Sequence, residues 1–507
     1  MLNMPDIIKI DRMTFTWEDA VDPLFENVTL QLHSGWTGLV GANGSGKTTF
    51  LHLLTRKLTP VSGVIKIPDP LFHCEQRTDD PPADLPAFIA STSKSAYRIK
   101  NVLEIDDAWF ERWHSLSHGE RKRCQLAVAL FLNPVVLAVD EPSNHLDAAS
   151  RRVLFNALQR FRGIGLLVSH DRELLDGLCQ NTLFLRPPSI ELRKSIYSIA
   201  ATELENENRA AQRQHEHARD QVKKLRKQVT QQRQNVAHSK NLVSKRNISA
   251  RDHDARSKVD QARLSGKDAI AGRKLTTLKN RLDKSEQHKK SHTYQKAQPA
   301  GITVDARYAE RYFPFIVPTG TIKLGDQKAL NFPELPIAAG EIIGIVGNNG
   351  AGKSTLLRHV LEKLLLPEAL LVYIPQEIPA SQSQVLVRRV QAYDSAIKGQ
   401  LMTIISRLGS DPARLLETAL PSPGEVRKLM LAEGILRNPG LIVMDEPTNH
   451  MDLPSLRSIE IALAECECTQ LLVSHDQVFL RQLVNYYWLF EQQDASTYRV
   501  RIAHDNI

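Results

Sequence analysis

Short, mainly apolar runs alternate along the chain with longer amphipathic stretches, and this alternation predicts strands and helices in turn. Apolar runs lie at 36–40, 134–140 and 163–169, and again at 342–346, 440–445 and 469–474. A strand that is apolar along its whole length is buried on both faces, as in a parallel sheet covered by helices. The pattern therefore predicts an α/β fold with mostly parallel sheets.

A different pattern occupies the middle of the chain, where no Phe, Trp, Tyr or Pro occurs between Ala201 and Thr293. Apolar residues recur there at helical spacing, at Ala218, Val222, Leu225, Val229 and Val236 and then at Ala271, Leu275, Leu278 and Leu282. Two narrow apolar seams separated by a polar stretch near 240–265 predict an antiparallel helical hairpin with a basic tip. A solvated, charged linker is the alternative interpretation.

The chain also repeats itself on either side of this segment. GANGSGKTT at 41–49 returns as GNNGAGKST at 347–355, AVDEPSNHLD at 138–147 as VMDEPTNHMD at 443–452, and LLVSHD at 166–171 as the same letters at 471–476. Equivalent residues are 305 or 306 positions apart, which indicates a duplicated domain. We expect a first domain at 1–196, a helical linker at 197–300 and a second domain at 301–507.

The basic excess of the chain is confined to the linker. Of 507 residues with net charge +8, residues 201–300 hold 24 Lys and Arg against 11 Asp and Glu, a local net of +13 that leaves −5 for the rest. Such asymmetry indicates an anionic partner for one segment. The candidate RNA-binding residues are those of the acid-free stretch 221–251: Lys223, Lys224, Arg226, Lys227, Arg233, Lys240, Lys245, Arg246 and Arg251.

Several classes of protein are disfavoured by composition. No stretch of about 18 apolar residues could span a bilayer, and the first residues lack the charged and apolar regions of a secretion signal. Five cysteines, an odd number, predict neither a disulfide framework nor a zinc site. We therefore expect a reduced, cytoplasmic protein.

Each repeat carries G-x-x-x-x-G-K-[ST] directly after a predicted strand, the pattern of a phosphate-binding loop. Glycines let backbone amides approach phosphate, the lysine reaches the β- and γ-phosphates, and the next hydroxyl is placed for Mg²⁺. The predicted ATP-binding residues are Gly41, Ala42, Asn43, Gly44, Ser45, Gly46, Lys47, Thr48 and Thr49 in the first repeat, and Gly347, Asn348, Asn349, Gly350, Ala351, Gly352, Lys353, Ser354 and Thr355 in the second.

Further polar residues recur at matching places in both repeats. Asp140 and Asp445 end apolar strands, where with Thr48 and Ser354 they are candidate Mg²⁺ ligands. The candidate catalytic residues are Glu141 and Glu446 to polarise water, His170 and His475 to contact the γ-phosphate, and Gln76 and Gln376 to sense metal and water. Ser117 and Gly119 in LSHGE, and Ser422 and Gly424 in PSPGE, begin helices and form a second anion-binding edge.

This order of motifs resembles that of the ATP-binding cassette (ABC) ATPases. In that family, the serine–glycine edge of one cassette closes over the nucleotide held by the other. The resemblance implies two composite sites, the first pairing Lys47, Gln76, Asp140, Glu141 and His170 with Ser422 and Gly424, the second pairing Lys353, Gln376, Asp445, Glu446 and His475 with Ser117 and Gly119. Trp17 matches the adenine-stacking aromatic of the family; a place in the core is its alternative role.

Two fused cassettes, EPSNHLD and EPTNHMD, and the basic linker are similar to the ABC-F group, soluble ATPases that act on ribosomes. The resemblance implies binding near the tRNA exit site, contact with ribosomal RNA and tRNA, and a monomer with an intramolecular cassette pair. An ATPase subunit of a transporter and a DNA-repair ATPase are the alternatives. Housekeeping and antibiotic-resistance roles both stay open.

Three departures from the family pattern bear on these expectations. PSPGE at 421–425 has proline where leucine is usual, and its site is expected to hydrolyse ATP more slowly. Before the strands of the second cassette only Leu324 occupies the place of the stacking aromatic. The short spacings from Gln76 to Leu116 and from Gln376 to Pro421 leave little room for the arm that some relatives carry.

Overall fold

The computed structural model describes residues 6–144, 146–242, 267–291, 302, 307–325, 328–412, 415, 421–449, 451–494 and 496–504. It divides into two compact units, one made of 1–200 with 298–507 and the other of 201–297. Across these described ranges, every helix is too short or too polar to cross a membrane.

The first cassette contains two sheets. Its elements are β1 (Ile8–Phe15), β2 (Phe25–Leu32), β3 (Gly35–Val40), α1 (Lys47–Leu54), β4 (Ser62–Lys66), β5 (Leu71–Cys74), α2 (Leu85–Ala90), α3 (Lys94–Leu103), α4 (His118–Leu132), β6 (Val136–Asp140), α5 (Ala148–Leu158), β7 (Ile164–Val168), α6 (Arg172–Leu178), β8 (Asn181–Arg186) and β9 (Ser189–Arg193). An antiparallel sheet has the order β2-β1-β4, and a six-stranded sheet has the order β5-β6-β7-β3-β8-β9. In the larger sheet only β8 and β9 pair antiparallel.

The helices of the linker are α7 (Tyr197–Leu242) and α8 (Lys267–Ser291). The second cassette follows them and repeats the parallel strands of the first, but most of its antiparallel strands join the main sheet. Its elements are β10 (Phe315–Val317), β11 (Gly320–Leu324), β12 (Lys328–Phe332), β13 (Leu335–Ile337), β14 (Ile342–Gly347), α9 (Lys353–Lys363), β15 (Leu371–Ile374), α10 (Ala380–Gln391), α11 (Ser395–Arg407), α12 (Pro423–Ile435), β16 (Leu441–Asp445), α13 (Leu453–Ala464), β17 (Thr469–Val473), α14 (Gln477–Leu483), β18 (Tyr486–Gln492) and β19 (Thr497–Ala503). The main sheet has the order β11-β12-β19-β18-β14-β17-β16-β15, and β10 pairs with β13.

The six apolar runs form the neighbouring central strands of the two main sheets. In the first cassette β5, β6, β7 and β3 lie side by side and parallel, as do β15, β16, β17 and β14 in the second. The predicted α/β class is therefore confirmed. Since parallel strands end at the same edge of a sheet, each loop that follows one of these strands opens onto a common crevice.

Unit 201–297 contains most of α7 together with α8. The seam residues Ala218, Val222 and Val229 are buried, and Leu275, Leu278 and Leu282 are half-buried. Arg226 of α7 donates two hydrogen bonds to Glu286 Oε1 of α8, at 3.0 and 2.8 Å. The two helices therefore pack against each other as the seams predict; residues 243–266, which include the expected basic tip, lie outside the described residues.

Tight packing at the centre of the first cassette supports the strand carrying its phosphate-binding loop. Trp36 of β3 donates its indole N–H to the carbonyl oxygen of Leu158 at 3.2 Å and packs against Phe161. Its neighbour on β7 is Gly165, where an added Cβ would lie 2.3 Å from the indole ring. Only a residue without a side chain fits this position unless the tryptophan moves.

We expect Gly165→Ala to destabilise the cassette by about 1–3 kcal/mol, because the methyl group overpacks a filled site. Gly399→Ala is the matched control, since Gly399 lies within α11 with no atom within 4 Å of its added Cβ. Alanine there should raise stability by about 0.5–1 kcal/mol through helix propensity. Thermal unfolding of both variants checks this; a loss of equal size in each would contradict the packing role of Gly165.

Candidate functional site

The two glycine-rich loops turn directly from a central strand into a helix. Gly44 and Gly46 have φ of 78° and 87°, and Gly350 and Gly352 have φ of 76° and 95°, a left-handed conformation that favours glycine. An added Cβ on Gly46 would also lie 2.8 Å from the ring of Phe25. The turns therefore leave backbone N–H groups at the starts of α1 and α9, an arrangement that binds phosphate.

Lys47 and Lys353 point back into their own loops. Lys47 Nζ donates to the carbonyl oxygens of Gly41 and Ala42 at 2.9 and 3.2 Å, and Lys353 Nζ to those of Gly347 and Asn348 at 2.7 and 3.1 Å. Burial lowers the pKa of both ammonium groups. Each cation is thus held beside the loop amides, where a phosphate group would compensate the cost of burial.

A hydroxyl and a carboxylate lie together beside each loop. Ser354 Oγ donates to Asp445 Oδ2 at 2.7 Å, and Thr48 makes the equivalent bond to Asp140. These are the hard oxygen ligands that Mg²⁺ prefers, and Mg²⁺ is commonly held by few protein oxygens together with substrate phosphates. The residues therefore fit a metal that arrives with a nucleotide.

The glutamate after each strand adopts a strained backbone conformation. Glu141 and Glu446 have φ of 44° and 51°, a region that residues other than glycine seldom adopt, and both side chains are buried. Burial raises the pKa of both carboxyls. Of the described residues, none donates a hydrogen bond to Glu446 Oε1. A buried carboxylate oxygen with unused acceptor capacity is suited to binding a water molecule.

The histidine after the third strand lies against this glutamate. His170 Nε2 is 3.1 Å from Glu141 Oε1, and His475 Nε2 is 3.4 Å from Glu446 Oε1. His475 Nε2 is also 3.3 Å from Lys353 Nζ and 3.1 Å from Asn349 Oδ1. Burial and the neighbouring lysine lower the pKa of each histidine to about 3, so both imidazoles are neutral at pH 7.

Six of the seven residues predicted for the first composite site line one cavity of about 410 Å³, and Gly424 is the one that does not. Gln76 lines this cavity, and Trp17 forms part of its wall with its side chain half exposed, which argues against a place in the core. Ser422 and Pro423 of the second cassette complete the lining. The remaining lining residues that were predicted are Asn43, Gly44, Gly46, Lys47, Thr48, Thr49, Asp140, Glu141 and His170.

The serine edges begin their helices in the same way. Ser117 and Ser422 each accept a hydrogen bond from the N–H of the glutamate three residues later, whose side chain bonds back to the serine N–H. Pro423 occupies the first turn of α12, where its missing N–H has no helical partner to lose. Pro423 therefore leaves the cap geometry the same as at Ser117. Gly424 lies buried in that first turn.

Aspartates that close the repeated motifs connect the cassettes, and the sequence interpretation gave them no role. Asp452 Oδ2 accepts from the backbone N–H of Asn43 at 2.5 Å, and Asp147 accepts from the N–H of Asn349. Each also caps a helix, through Ser455 N–H or Ser150 N–H. In the described contacts, Ser117 and Gly119 make no hydrogen bond to the second phosphate-binding loop. The sequence signal for these contacts was the aspartate that ends NHLD and NHMD, because it is identical in both repeats.

Buried cations on the signature helices form a second group that the sequence interpretation missed. Lys122 Nζ on α4 donates to the backbone carbonyls of Glu75 and Asp140, at 2.5 and 3.1 Å. Arg427 on α12 similarly donates to the carbonyl of Gln376. Each cation therefore ties the helix that starts at the serine edge to the glutamine segment of its own cassette.

The candidate RNA-binding residues divide into three groups. Lys223, Lys224, Lys227 and Arg233 are exposed on α7. Arg226 is paired with Glu286, as described above. The side chain of Lys240, and Lys245, Arg246 and Arg251 as a whole, lie outside the described residues.

Comparison with known proteins agrees with this geometry. The ABC transporter family model matches residues 25–144 and 330–449, one match in each cassette. The ribosome protection protein VmlR of Bacillus subtilis is 27% identical over 95% of this chain and 86% of its own length. The mouse ATP-binding cassette sub-family F member 2 is 25% identical over 93% of this chain and 78% of its own length.

Solved structures share the arrangement of two cassettes. The archaeal ribosome recycling factor aABCE1, solved with the stalk protein aP1, aligns with a TM-score of 0.60 at 17% identity, covering 97% of this chain and 90% of that one. At this identity the likeness shows the fold alone. The family match in each half and the similarity to these relatives lead to one conclusion: the chain belongs to the ATP-binding cassette proteins, as an ATP-hydrolysing, duplicated-cassette member of the ABC-F group.

Proposed function

We propose that the chain binds the ribosome near the tRNA exit site and modulates translation, acting as a monomer in the cytoplasm. The observation that carries the proposal is the fusion of two cassettes, which form an ATP cavity between them, to a long helix with exposed lysines. The relative named a ribosome protection protein supports the same partner. The contacts would be with ribosomal RNA and with tRNA, in a housekeeping or resistance role.

ATP binding stabilises the state in which the cassettes are closed. The first loop supplies Lys47 and its amides from one cassette, and Ser422 supplies an edge from the other. A nucleotide between them contacts both, so it binds the closed state better than the open one and shifts the population toward it. Hydrolysis removes the γ-phosphate contacts, after which the cassettes separate and the ribosome is released.

Hydrolysis requires a water molecule placed in line with the γ-phosphate. Glu141 and Glu446 hold and polarise that water, His170 and His475 contact the γ-phosphate, and Gln76 and Gln376 complete the water and metal environment. Thr48 with Asp140, or Ser354 with Asp445, would hold Mg²⁺, which would supply positive charge against the phosphate groups. The strained glutamate backbone keeps each carboxylate at the end of its strand, next to the loop.

Replacing both glutamates, Glu141→Gln and Glu446→Gln, should lower ATP hydrolysis by about 10²-fold or more while ATP binding persists. The amide retains the shape but loses the basic oxygen, and a positioned base contributes about 10²–10⁴-fold. Steady-state phosphate release and equilibrium nucleotide binding measure the two effects. Glu362→Gln, an exposed position on α9, is the control and should behave as wild type.

The same double variant tests the proposed function when it is sedimented with ribosomes. Because ATP binding without hydrolysis retains the closed state, the variant should pellet with ribosomes in ATP, whereas wild type should be released in ADP. Translation in a reconstituted system should then stall. Equal sedimentation of the variant in ATP and in ADP would contradict an ATP-driven ribosome cycle.

Charge reversal of the exposed lysines on α7, Lys223→Glu, Lys224→Glu and Lys227→Glu, should weaken ribosome association and flatten its salt dependence. Counterion release predicts a log–log slope shallower by about 2 for three lost phosphate contacts. Arg226 is left in place because its pairing with Glu286 joins the two helices. The control Lys9→Glu, Lys66→Glu and Lys363→Glu changes net charge equally at exposed cassette positions; matching losses in both variants would reject a specific role for α7.

A further inference from the structure

A cleft on the first cassette carries four basic side chains and lies outside the ATP sites. It is an open cavity of about 940 Å³ between α3 and the end of α5. Lys94, Arg98, Arg160 and Arg162 line it, and all four are exposed. Its lining contains no Asp or Glu.

The four cations are unpaired, unlike their neighbours. Lys100 pairs with Asp107 at 2.8 Å and Arg123 with Glu104 at 3.1 Å, so nearby basic residues do have carboxylate partners. Within the described ranges, neither an ion pair nor a hydrogen bond engages the side chains of Lys94, Arg98, Arg160 or Arg162. Like charges gathered without counter-charges repel one another, so the cleft is suited to an external anion.

The duplication shows that the fold does not require this charge. With the offset of 305 that relates Asp140 to Asp445, Arg160 corresponds to Glu465 and Arg162 to Glu467. Both pairs follow the equivalent helices α5 and α13. The same loop is therefore basic in the first cassette and acidic in the second. The cassette fold does not require the positive charge, which is specific to this surface of the first cassette.

We propose that this basic cleft binds the phosphate backbone of ribosomal RNA, as a second contact separate from the linker. The inference rests on the proposed ribosome function and names a surface for it. Four exposed cations around a concave surface match a bent line of phosphates, because arginine and lysine contact phosphate oxygens without reading sequence.

The test uses full-length protein in the Glu141→Gln, Glu446→Gln background with ATP and ribosomes. Arg160→Glu with Arg162→Glu copies the charge of the second cassette into the first. We expect at least tenfold weaker ribosome association and a salt slope shallower by about 1.5, for two lost phosphate contacts. The control Lys9→Glu with Lys66→Glu, two exposed neighbours on the antiparallel sheet, changes net charge equally and should lose less than threefold.

Competition identifies the partner. Purified ribosomal RNA should compete with ribosomes for the parent protein and compete poorly for the charge-reversed variant. Equal losses in variant and control, no loss in the variant, or competition by tRNA but not ribosomal RNA would each overturn the proposal. A loss that ribosomal RNA cannot reproduce would indicate an acidic protein partner and also overturn it. Failure of the parent to bind ribosomes at all would instead reject the proposed function.

A second observation concerns the ATP sites and is independent of the ribosome. Arg151 on α5 of the first cassette donates from Nη1 to the backbone carbonyl of His475 in the second, at 3.1 Å. Asp171 Oδ2 lies 3.5 Å from the same nitrogen. The offset of 305 places Leu456, which is buried, at the equivalent position of the second cassette. Leucine cannot make the reciprocal bond to His170.

We infer that Arg151 is a positioning residue for the second site only. By holding the backbone at His475, it fixes the imidazole that lies between Lys353, Asn349 and Glu446. A displacement of about 1 Å in such a group can cost up to about 10²-fold in rate. The two ATP sites are therefore unequal because a cross-cassette support exists at one of them.

Single-turnover hydrolysis by protein loaded with ATP at both sites and freed of unbound nucleotide tests this inference. Arg151→Leu, which copies Leu456, should slow about half of the hydrolysis amplitude by tenfold or more and leave the other half at the wild-type rate. Arg151→Lys should restore part of the lost rate, and the exposed neighbour Arg152→Leu should match wild type. Slowing of the whole amplitude, or of none of it, would overturn the inference. Nucleotide affinity and the thermal unfolding temperature are measured for each variant, and unchanged values exclude misfolding as the cause.

Discussion

Each phosphate-binding loop is held from the opposite cassette by an aspartate that also begins a helix. Asp452 accepts from Asn43 N–H at 2.5 Å, and Asp147 accepts from Asn349 N–H in the mirrored arrangement. Each carboxylate caps a helix of its own cassette and also binds the phosphate-binding loop of the opposite cassette. Movement of either cassette therefore changes the hydrogen bonding of that loop. The composite cavity and the proposed closure by ATP both depend on this reciprocal contact.

Much of this architecture could be predicted because the signals are local or repeated. The apolar runs before Gly41 and Gly347 predict parallel strands, and those strands place Asp140, Glu141, His170 and the loop at one edge. The antiparallel sheet of β1, β2 and β4 was not predicted, since β1 and β2 alternate irregularly between buried and exposed residues and β4 is almost wholly exposed. The strain at Glu141 was also invisible, because φ depends on the packing of neighbouring strands.

Contacts between the cassettes could not be derived from either repeat alone. Arg151 lies 324 positions from His475, and nothing in its own helix distinguishes it from Arg152. The duplication provides the missing comparison, because positions that differ between the copies mark where the two halves meet different surroundings. Leucine replaces Arg151, and glutamates replace Arg160 and Arg162, while the phosphate-binding motifs hardly change. The phosphate-binding motifs are thus shared by the copies, whereas the backbone contact at His475 and the surface charge at 160 and 162 are not.

The central claim is that two ATP sites form between the cassettes of a single chain. Native mass measurement of the Glu141→Gln, Glu446→Gln protein in ATP and Mg²⁺ tests it most directly. The account predicts one chain carrying two ATP molecules, with Asp452→Ala and Asp147→Ala each weakening retention of nucleotide. A species of two chains that forms only with ATP, with nucleotide shared between chains, would contradict it.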